Sequence, residues 1–203
     1  MTNQQTIRAQ LRQQLRKRRT SLSLHEQQSA SDALVKNITK LPQWQEASCI
    51  AGYLANDGEI DLTQVMHHAW HQQRRTTVPV IHPFNRKNLL FLQFTATTKR
   101  VKNRFGIDEP ILACPSVVPL KQHDIILMPL VGFDEAGNRL GMGGGFYDRA
   151  LASSHHCSPR PWLIGTAHDC QCVDNLPVAS WDVPCDVIVT PSRIIYPTSR
   201  DCC

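Results

Sequence analysis

An α/β fold with a mainly parallel sheet is what this 203-residue sequence predicts. Short apolar runs recur along it, amphipathic stretches separate them, and a glycine-rich loop follows the run Ile125-Ile126-Leu127-Met128-Pro129-Leu130-Val131. Strands alternating with helices put a sheet in the middle and helices on both faces, a three-layer α/β/α domain preceded by a basic helix. At this length one domain spanning residues 1–203 is expected.

The basic helix comes first. Ile7, Leu11, Leu15 and Leu22 recur at helical spacing, and Arg8, Arg12, Arg16, Lys17, Arg18 and Arg19 supply six positive charges before the first acidic residue, Glu26. Arg8 and Arg12 are four residues apart and share one face, where two guanidinium groups side by side suit a polyphosphate. A solvated basic face and a nucleic-acid-binding arm account for the same charges. Leu24 to Leu41 continues as helix, with Pro42 as its breaker. Ser48 to Leu54 is expected as a strand, Leu62 to Gln73 as a helix and Thr76 to Ile81 as the next strand, together a βαβ unit. Leu89 to Phe94 adds a strand, Arg104 to Pro110 is loop-rich, and residues 125–131 form the buried strand before the glycine loop. A helix from about Phe146 to Ser154 and two short strands, Trp162 to Ala167 and Asp186 to Thr190, complete the pattern.

Composition narrows the function classes. The net charge of +5 is concentrated in the first helix, and the rest of the chain is nearly neutral. No run is long and apolar enough for a membrane span, and Met1 to Arg19 has no apolar signal core, so a cytoplasmic location is expected. Of the eight cysteines, Cys49, Cys114, Cys157 and Cys185 are isolated, and several of them lie beside strand-like segments as small buried hydrophobes. There is no Cys-x-x-Cys pair, and structural disulfides are not expected. His168, Cys170 and Cys172 are the only metal-like cluster and lack a second ligand pair, while Cys202 and Cys203 form a terminal pair open to adventitious oxidation.

The chemistry concentrates in Gly132-Phe133-Asp134-Glu135-Ala136-Gly137-Asn138-Arg139-Leu140-Gly141-Met142-Gly143-Gly144-Gly145-Phe146-Tyr147-Asp148-Arg149. Four glycines in five positions let a ligand approach backbone N–H groups, and the loop leads into a helix N-terminus that favours an anion. Arg139 and Arg149 add charge, and Asp148 in the first turn either caps the helix or holds magnesium on a phosphate. The loop is neither a P-loop, lacking Gly-Lys-Ser/Thr, nor a dinucleotide fingerprint, since Phe146 stands where the last glycine belongs. In such folds ligands gather at the carboxyl ends of strands, where Asp57 and Glu59 follow the strand at 48–54. Glu59 either grips a polar heterocycle or caps the next helix, and Phe105 and Glu109 have a similar range. Asp182 either joins Asp148 around one cation or forms a turn.

Together these residues resemble the 5-formyltetrahydrofolate cyclo-ligase family, from the Arg8/Arg12 helix to Thr190-Pro191-Ser192. The most specific likeness is the loop at 132–149; Tyr53-Leu54 with Glu59, Phe105-Gly106-Ile107 with Glu109-Pro110, and Leu176-Pro177 with Asp182 support it. The resemblance implies ATP- and magnesium-dependent closure of 5-formyltetrahydrofolate to 5,10-methenyltetrahydrofolate, with phosphorylation of the formyl oxygen, attack by N10 and release of ADP and phosphate. It implies that ATP is bound by Arg8, Arg12, Arg139, Leu140 and the stretch Gly141, Met142, Gly143, Gly144, Gly145, Phe146 and Tyr147. Folate contacts fall on Leu54 and Glu59 and on the loop from Met142 through Gly143, Gly144 and Gly145 to Phe146. Arg139, Tyr147 and Asp148 are the implied catalytic residues, and Asp148 and Asp182 the magnesium-associated ones. Some members carry lysine where this chain has Gly144, and many have histidine where it has Trp181. The expected partners are small molecules, with no nucleic acid or membrane, and the expected state is a monomer. A non-catalytic folate or nucleotide binder and an RNA-binding module are the rival classes.

Overall fold

The computed structural model of the chain describes residues 3–85, 87–103, 106–152 and 160–197. Helix α1 (Asn3–Thr20) ends on Lys17, Arg18 and Arg19, cations that suit the negative end of a helix. Ser23 then opens α2 (Leu24–Ile38) in a capping box, its hydroxyl accepting from the Glu26 amide while the Glu26 carboxylate accepts from the Ser23 amide. The expected helix end at Leu41 falls earlier, at Ile38, and Pro42 begins a helix rather than ending one: α3 (Pro42–Glu46) carries it at the first position. Its missing N–H has no intrahelical partner there in any case, and its φ is already helical.

Strand β1 (Cys49–Ala51), helix α4 (Thr63–His71) and strand β2 (Arg75–Ile81) form the expected βαβ unit, with Ile50 opposite Thr76 in a parallel pair. Strands β3 (Leu89–Gln93), β4 (Arg100–Lys102), β5 (Asp108–Pro110), β6 (Val117–Val118) and β7 (Ile125–Pro129) follow. A small hairpin, β8 (Gly132–Phe133) and β9 (Arg139–Leu140), leads into α5 (Phe146–Leu151). Strands β10 (Trp162–Thr166), β11 (Val187–Val189) and β12 (Ile194–Ile195) close the chain. The main sheet runs β12-β11-β10-β7-β1-β2-β3-β6; its five central strands are parallel, and β12, β3 and β6 join antiparallel.

Two local expectations change. Part of the supposed loop at 104–110 is strand, β5 pairing antiparallel with β4, while Arg104 and Phe105 lie outside the described residues. The helix begun at Phe146 stops at Leu151, and its expected end at Ser154 also lies outside them.

The apolar run of β7 is explained by cover on both sides. Ile125 and Leu127 meet Leu34 and Ile38 of α2, Trp44 of α3 and Val65 of α4, whereas Ile126 and Met128 meet Leu151 of α5, Leu163 and Ile188. Helix α1 belongs to neither face. Its Leu15 packs with Val131, Leu140 and Leu176, so the helix crosses the ends of the strands. Cys49 and Cys185 are buried, Cys114 is exposed, Cys170 and Cys172 are partly covered, and all five are free thiols. Cys157, Cys202 and Cys203 lie outside the described residues. No helix among the described residues is long and apolar enough to cross a membrane.

The β8–β9 hairpin is shaped by one side chain. Asp134, 2 % exposed, accepts from the amides of Ala136, Asn138 and Leu176 and from the Asn138 side chain. Gly137 sits in the same turn at φ +83, where a Cβ would fall 2.9 Å from the Cys185 carbonyl. Asp134→Ala strands buried donors and is expected to cost about 3 kcal/mol or more in urea unfolding. An unchanged midpoint would remove Asp134 as the organiser of this hairpin.

Candidate active site

The strand order reverses between β1 and β7, and the loops leaving their carboxyl ends diverge there. A cavity of about 550 Å³ opens at that point, a volume suited to a small organic ligand. Pro79, Ile81, Leu89, Ile107, Pro129 and Val131 make apolar walls, and Glu59, Arg139 and Asp148 supply charge. Asn103, Asp108 and Glu109 bring the β4–β5 hairpin to one side.

The loop after β1 is tightly held. The Tyr53 hydroxyl donates to the Ile60 carbonyl at 2.9 Å and meets Thr166 Oγ1 at 2.9 Å. Asp57 at φ 53 and Gly58 at φ 72 form a left-handed turn, a conformation a non-glycine residue adopts only under constraint. Glu59 Oε2 accepts from the Asn56 amide, and its Oε1 lies 3.8 Å from the Arg19 guanidinium. Burial pushes the Glu59 carboxyl up to about 7; Arg19 and the Asn56 amide pull it down, and Asp57 pushes it further up. The helix-capping alternative for Glu59 does not hold, because Asp61 accepts from the Thr63 amide and side chain at the start of α4.

The glycine loop faces it across the cavity. Arg139 is buried, its Nε donating to the Val183 carbonyl at 2.7 Å and its Nη2 to Asp148 Oδ1, which also accepts from the Val183 amide. Asp148 is therefore the partner of Arg139 and not a helix cap; the cap position is Gly145, without a side-chain bond. Gly143 at φ +98 and Gly145 at φ +61 occupy left-handed backbone, and a Cβ on Gly144 would meet the Phe146 ring at 2.6 Å. Arg149 donates to the Gly144 carbonyl and lies over the Phe146 ring, bracing the loop from outside. The helix-dipole argument for anion binding weakens here, since α5 has only six residues and the dipole grows with aligned peptides. Positive side chains carry that role instead. The Tyr147 hydroxyl is buried with no hydrogen-bond partner among the described residues, and burial next to Glu59 holds its pKa above the ordinary phenol value. It remains a donor for a ligand acceptor.

Helix α1 sets its arginines beside this loop. Arg8 forms a two-point pair with Asp182 and donates to the Pro177 carbonyl at 2.9 Å. Burial is the largest single influence and raises the Asp182 carboxyl, but the Arg8 bond, the Ala179 amide and the charges of Arg8 and Arg139 together leave the group below its ordinary value. Arg12 donates to the Gly141 carbonyl at 2.8 Å and has no carboxylate partner among the described residues. Burial and then repulsion from Arg8 lower its pKa, with Asp182 opposing. A guanidinium in that setting gains from an incoming anion. Lys17 and Arg18 stay exposed, whereas Arg8, Arg12 and Arg19 turn inward, so half the basic arm is part of the body rather than a free surface.

Of the sequence-derived residues, Leu54, Glu59, Arg139, Asp148 and most of the 141–147 loop line the cavity. Arg8, Arg12, Gly143 and Asp182 stand beside it, and the Leu140 side chain is buried against Leu15. Phe105 lies outside the described residues. Among the described residues no three His, Cys, Asp or Glu side chains gather as a metal set, His168, Cys170 and Cys172 included. Both Asp182 oxygens are bonded, while Asp148 Oδ2 makes no hydrogen bond among the described residues. One spare carboxylate oxygen fits a magnesium ion held mainly by phosphate and water, and not a full protein cage. Arg19 and the hairpin residues Asn103 and Asp108 were not singled out from sequence. Arg19 had a signal, a cation at helical spacing on the Leu11, Leu15, Leu22 face.

Glu59 also links the site to stability. Its folded pKa of about 7 lies above the unfolded value near 4.5, so its neutral form is favoured by folding and stability falls as pH rises from about 4.5 through 7. Glu59→Gln is expected to be more stable than the parent at pH 8 by roughly 2–3 kcal/mol, with the gap closing below about pH 4.5. Urea titrations across that range read it; a gap that does not vary with pH would exclude a raised Glu59 carboxyl.

A sequence model of the 5-formyltetrahydrofolate cyclo-ligase family matches residues 4–191. The chain is 42% identical over 180 residues to the 5-formyltetrahydrofolate cyclo-ligase of Escherichia coli (strain K12), covering 89% of this chain and 98% of that protein. It is also 42% identical to the Haemophilus influenzae 5-formyltetrahydrofolate cyclo-ligase over 183 residues, 90% of this chain and 97% of the relative. The solved structure of Aquifex aeolicus 5,10-methenyltetrahydrofolate synthetase is similar with a TM-score of 0.81 at 26% identity, over 97% of this chain and 96% of that one. With the cavity, the glycine loop and the arginine-bearing first helix all inside the matched region, the chain belongs to the 5-formyltetrahydrofolate cyclo-ligase family.

Proposed function

We propose that this enzyme converts 5-formyltetrahydrofolate to 5,10-methenyltetrahydrofolate with consumption of ATP, in the cavity between the loops that follow β1 and β7. The observation that carries this reading is the division of the site. A largely covered carboxylate, Glu59, stands on one wall of an apolar cavity, Arg139 and the glycine loop form a backbone-rich wall opposite, and Arg12 adds a cation beside that loop. Glu59 accepts from the N–H groups of the pterin, while Leu54, Met142 and Phe146 cover its apolar surface. The triphosphate lies along residues 141–147 with Arg8, Arg12 and Arg139 neutralising it.

The formyl oxygen attacks the γ-phosphorus, the bond from that phosphorus to the ADP oxygen breaks, and ADP departs. N10 then attacks the formyl carbon, the carbon–oxygen bond breaks, and phosphate leaves with the electron pair as N10 loses its proton. Such a sequence needs positioned charge more than a protein nucleophile. Arg139 is held in advance by Val183 and Asp148, so little reorganisation is required when charge develops. The apolar walls keep water from the phosphorylated formyl group, which hydrolysis would waste. Magnesium bound to the triphosphate would offset phosphate charge, with Asp148 as the residue that has an oxygen to offer it. On this reading the enzyme works on small molecules as a cytoplasmic monomer, one domain over residues 1–203.

Near-ultraviolet absorbance of the methenyl product tests the proposal directly. Growth that needs both ATP and magnesium supports it; none from folded protein with fresh substrate would move the chain to the non-catalytic binders. Asp148→Asn keeps an acceptor for Arg139 and is expected to lower turnover at least tenfold, roughly, while unfolding stays cooperative. A parental rate in that variant would take Asp148 out of the site. Glu59→Gln should raise the KM for folate by about tenfold and leave that for ATP within about twofold, and equal effects on both would contradict the division of the cavity.

A further inference from the structure

We infer that Arg19 is a positioning residue of this site: it pins the Asp57–Gly58 turn to the end of β7 and holds a positive charge beside Glu59 Oε1, leaving that oxygen available to the ligand. The inference rests on Glu59 being the folate contact.

Arg19 is 0% exposed, although it sits on a helix otherwise rich in solvated cations. Its Nε donates to the Asp57 carbonyl at 2.8 Å, Nη1 to the Leu130 carbonyl at 3.1 Å and Nη2 to Asp57 Oδ2 at 2.9 Å. The same Nη2 lies 3.9 Å from Met142 Sδ in the glycine loop and 3.8 Å from Glu59 Oε1. One guanidinium thus touches both loops that line the cavity, the one after β7 at Leu130 and again at Met142.

Packing alone does not call for an arginine here. An apolar residue would extend the Leu11 and Leu15 face without the desolvation that a buried charge requires. The charge also demands a partner, and that partner, Asp57, which accepts from Arg16 Nε at 2.7 Å as well, is held at φ 53. Strain of this kind persists where the surroundings over-determine it, commonly at functional sites.

The spacing to Glu59 indicates what the charge does. At 3.8 Å it stabilises the carboxylate without donating a hydrogen bond to Oε1, which stays available to a ligand. The other groups close to Glu59 are Asp57, the Asn56 amide, and the hydroxyls of Tyr53 and Tyr147. The Tyr53 hydroxyl is already used by Ile60 and Thr166. Across the cavity stand Asp108, Glu109, Arg139 and Asp148; behind the loop, His67, Arg100 and Lys102 line a polar cleft, and His168 lies beside Arg19. Burial raises Glu59, and Arg19 is the largest influence lowering it, with Asp57 acting the other way.

The test follows kcat/KM for 5-formyltetrahydrofolate against pH in the parent, Glu59→Gln, Arg19→Met and Asp57→Asn proteins, with carbon-13 NMR titration of the Glu59 carboxyl in those that retain it. The parent is expected to lose activity as pH falls through about 7, and Glu59→Gln to lack that limb. Arg19→Met moves the limb and the NMR titration upward by about one pH unit or more. Asp57→Asn, which keeps an acceptor for Arg19, moves both downward. A residue that only supports the fold would not shift them in opposite directions. An unmoved Glu59 titration in folded Arg19→Met overturns the proposal. Should Arg19→Met not fold, Arg19→Gln, which keeps a donor but carries no charge, decides, an upward move supporting it and no move overturning it. A parent profile without a limb that Glu59→Gln removes would instead overturn the Glu59 assignment itself, and the role of Arg19 in catalysis with it.

Discussion

A buried guanidinium needs its full complement of acceptors, and the layout of this site depends on how Arg19 finds them. The helix that carries it cannot lie on either face of the sheet, because the Asp57 and Leu130 carbonyls it requires are at the carboxyl ends of β1 and β7. Leu15, one turn earlier, buries itself against Val131, Leu140 and Leu176 at the same edge. Hydrophobic burial draws the helix down, and the directional bonds of Arg19 fix its register. With that register set, Arg12 reaches Gly141 and Arg8 reaches Asp182. A slip by one residue would rotate the row of arginines by about 100° and lose all three contacts.

The electrostatics of the site follow from this docking. Arg8 and Arg139 each hold a carboxylate, Asp182 and Asp148, and Arg12 between them has only a carbonyl. The network therefore carries one uncompensated cation next to a glycine-rich backbone, a favourable arrangement for phosphate oxygens. The opposite wall offers a carboxylate. Glu59 stands beside Asp57, Arg19 is shared between them, and Arg16 also bonds Asp57. A substrate with N–H donors meets an acceptor on this side, and a separate phosphate-bearing one meets the cation on the other.

Rigid elements hold these groups where they are needed. The Asp134-centred hairpin delivers Arg139, the strained Asp57–Gly58 turn delivers Glu59, and Arg149 braces Gly144 from outside the loop. Both cavity-lining loops grow from central parallel strands whose two faces are buried, so their bases have little freedom. The exposed parts, Met142 and the neighbouring glycines, are where a ligand can be admitted.

The sequence by itself determined the α/β class, the βαβ unit at 49–81 and the glycine loop after β7, because each rests on a local signal: apolar period, strand length or clustered glycines. It also pointed to Arg8, Arg12, Glu59, Arg139 and Asp148, through side-chain chemistry and through likeness to a family. Tertiary structure alone decided which option each polar group takes. Glu59 lines the cavity and accepts from the Asn56 amide while Asp61 takes the first amide of α4, and Asp148 pairs with Arg139 because β9 and α5 bring them together. The strand in the 108–110 segment needed its hairpin partner at 100–102 to show itself, and Pro42 opens a helix where a breaker was expected. Arg19 shows the reason most directly. As a residue it is one of six early cations, and only the convergence of two strand ends gives that cation acceptors enough to be buried.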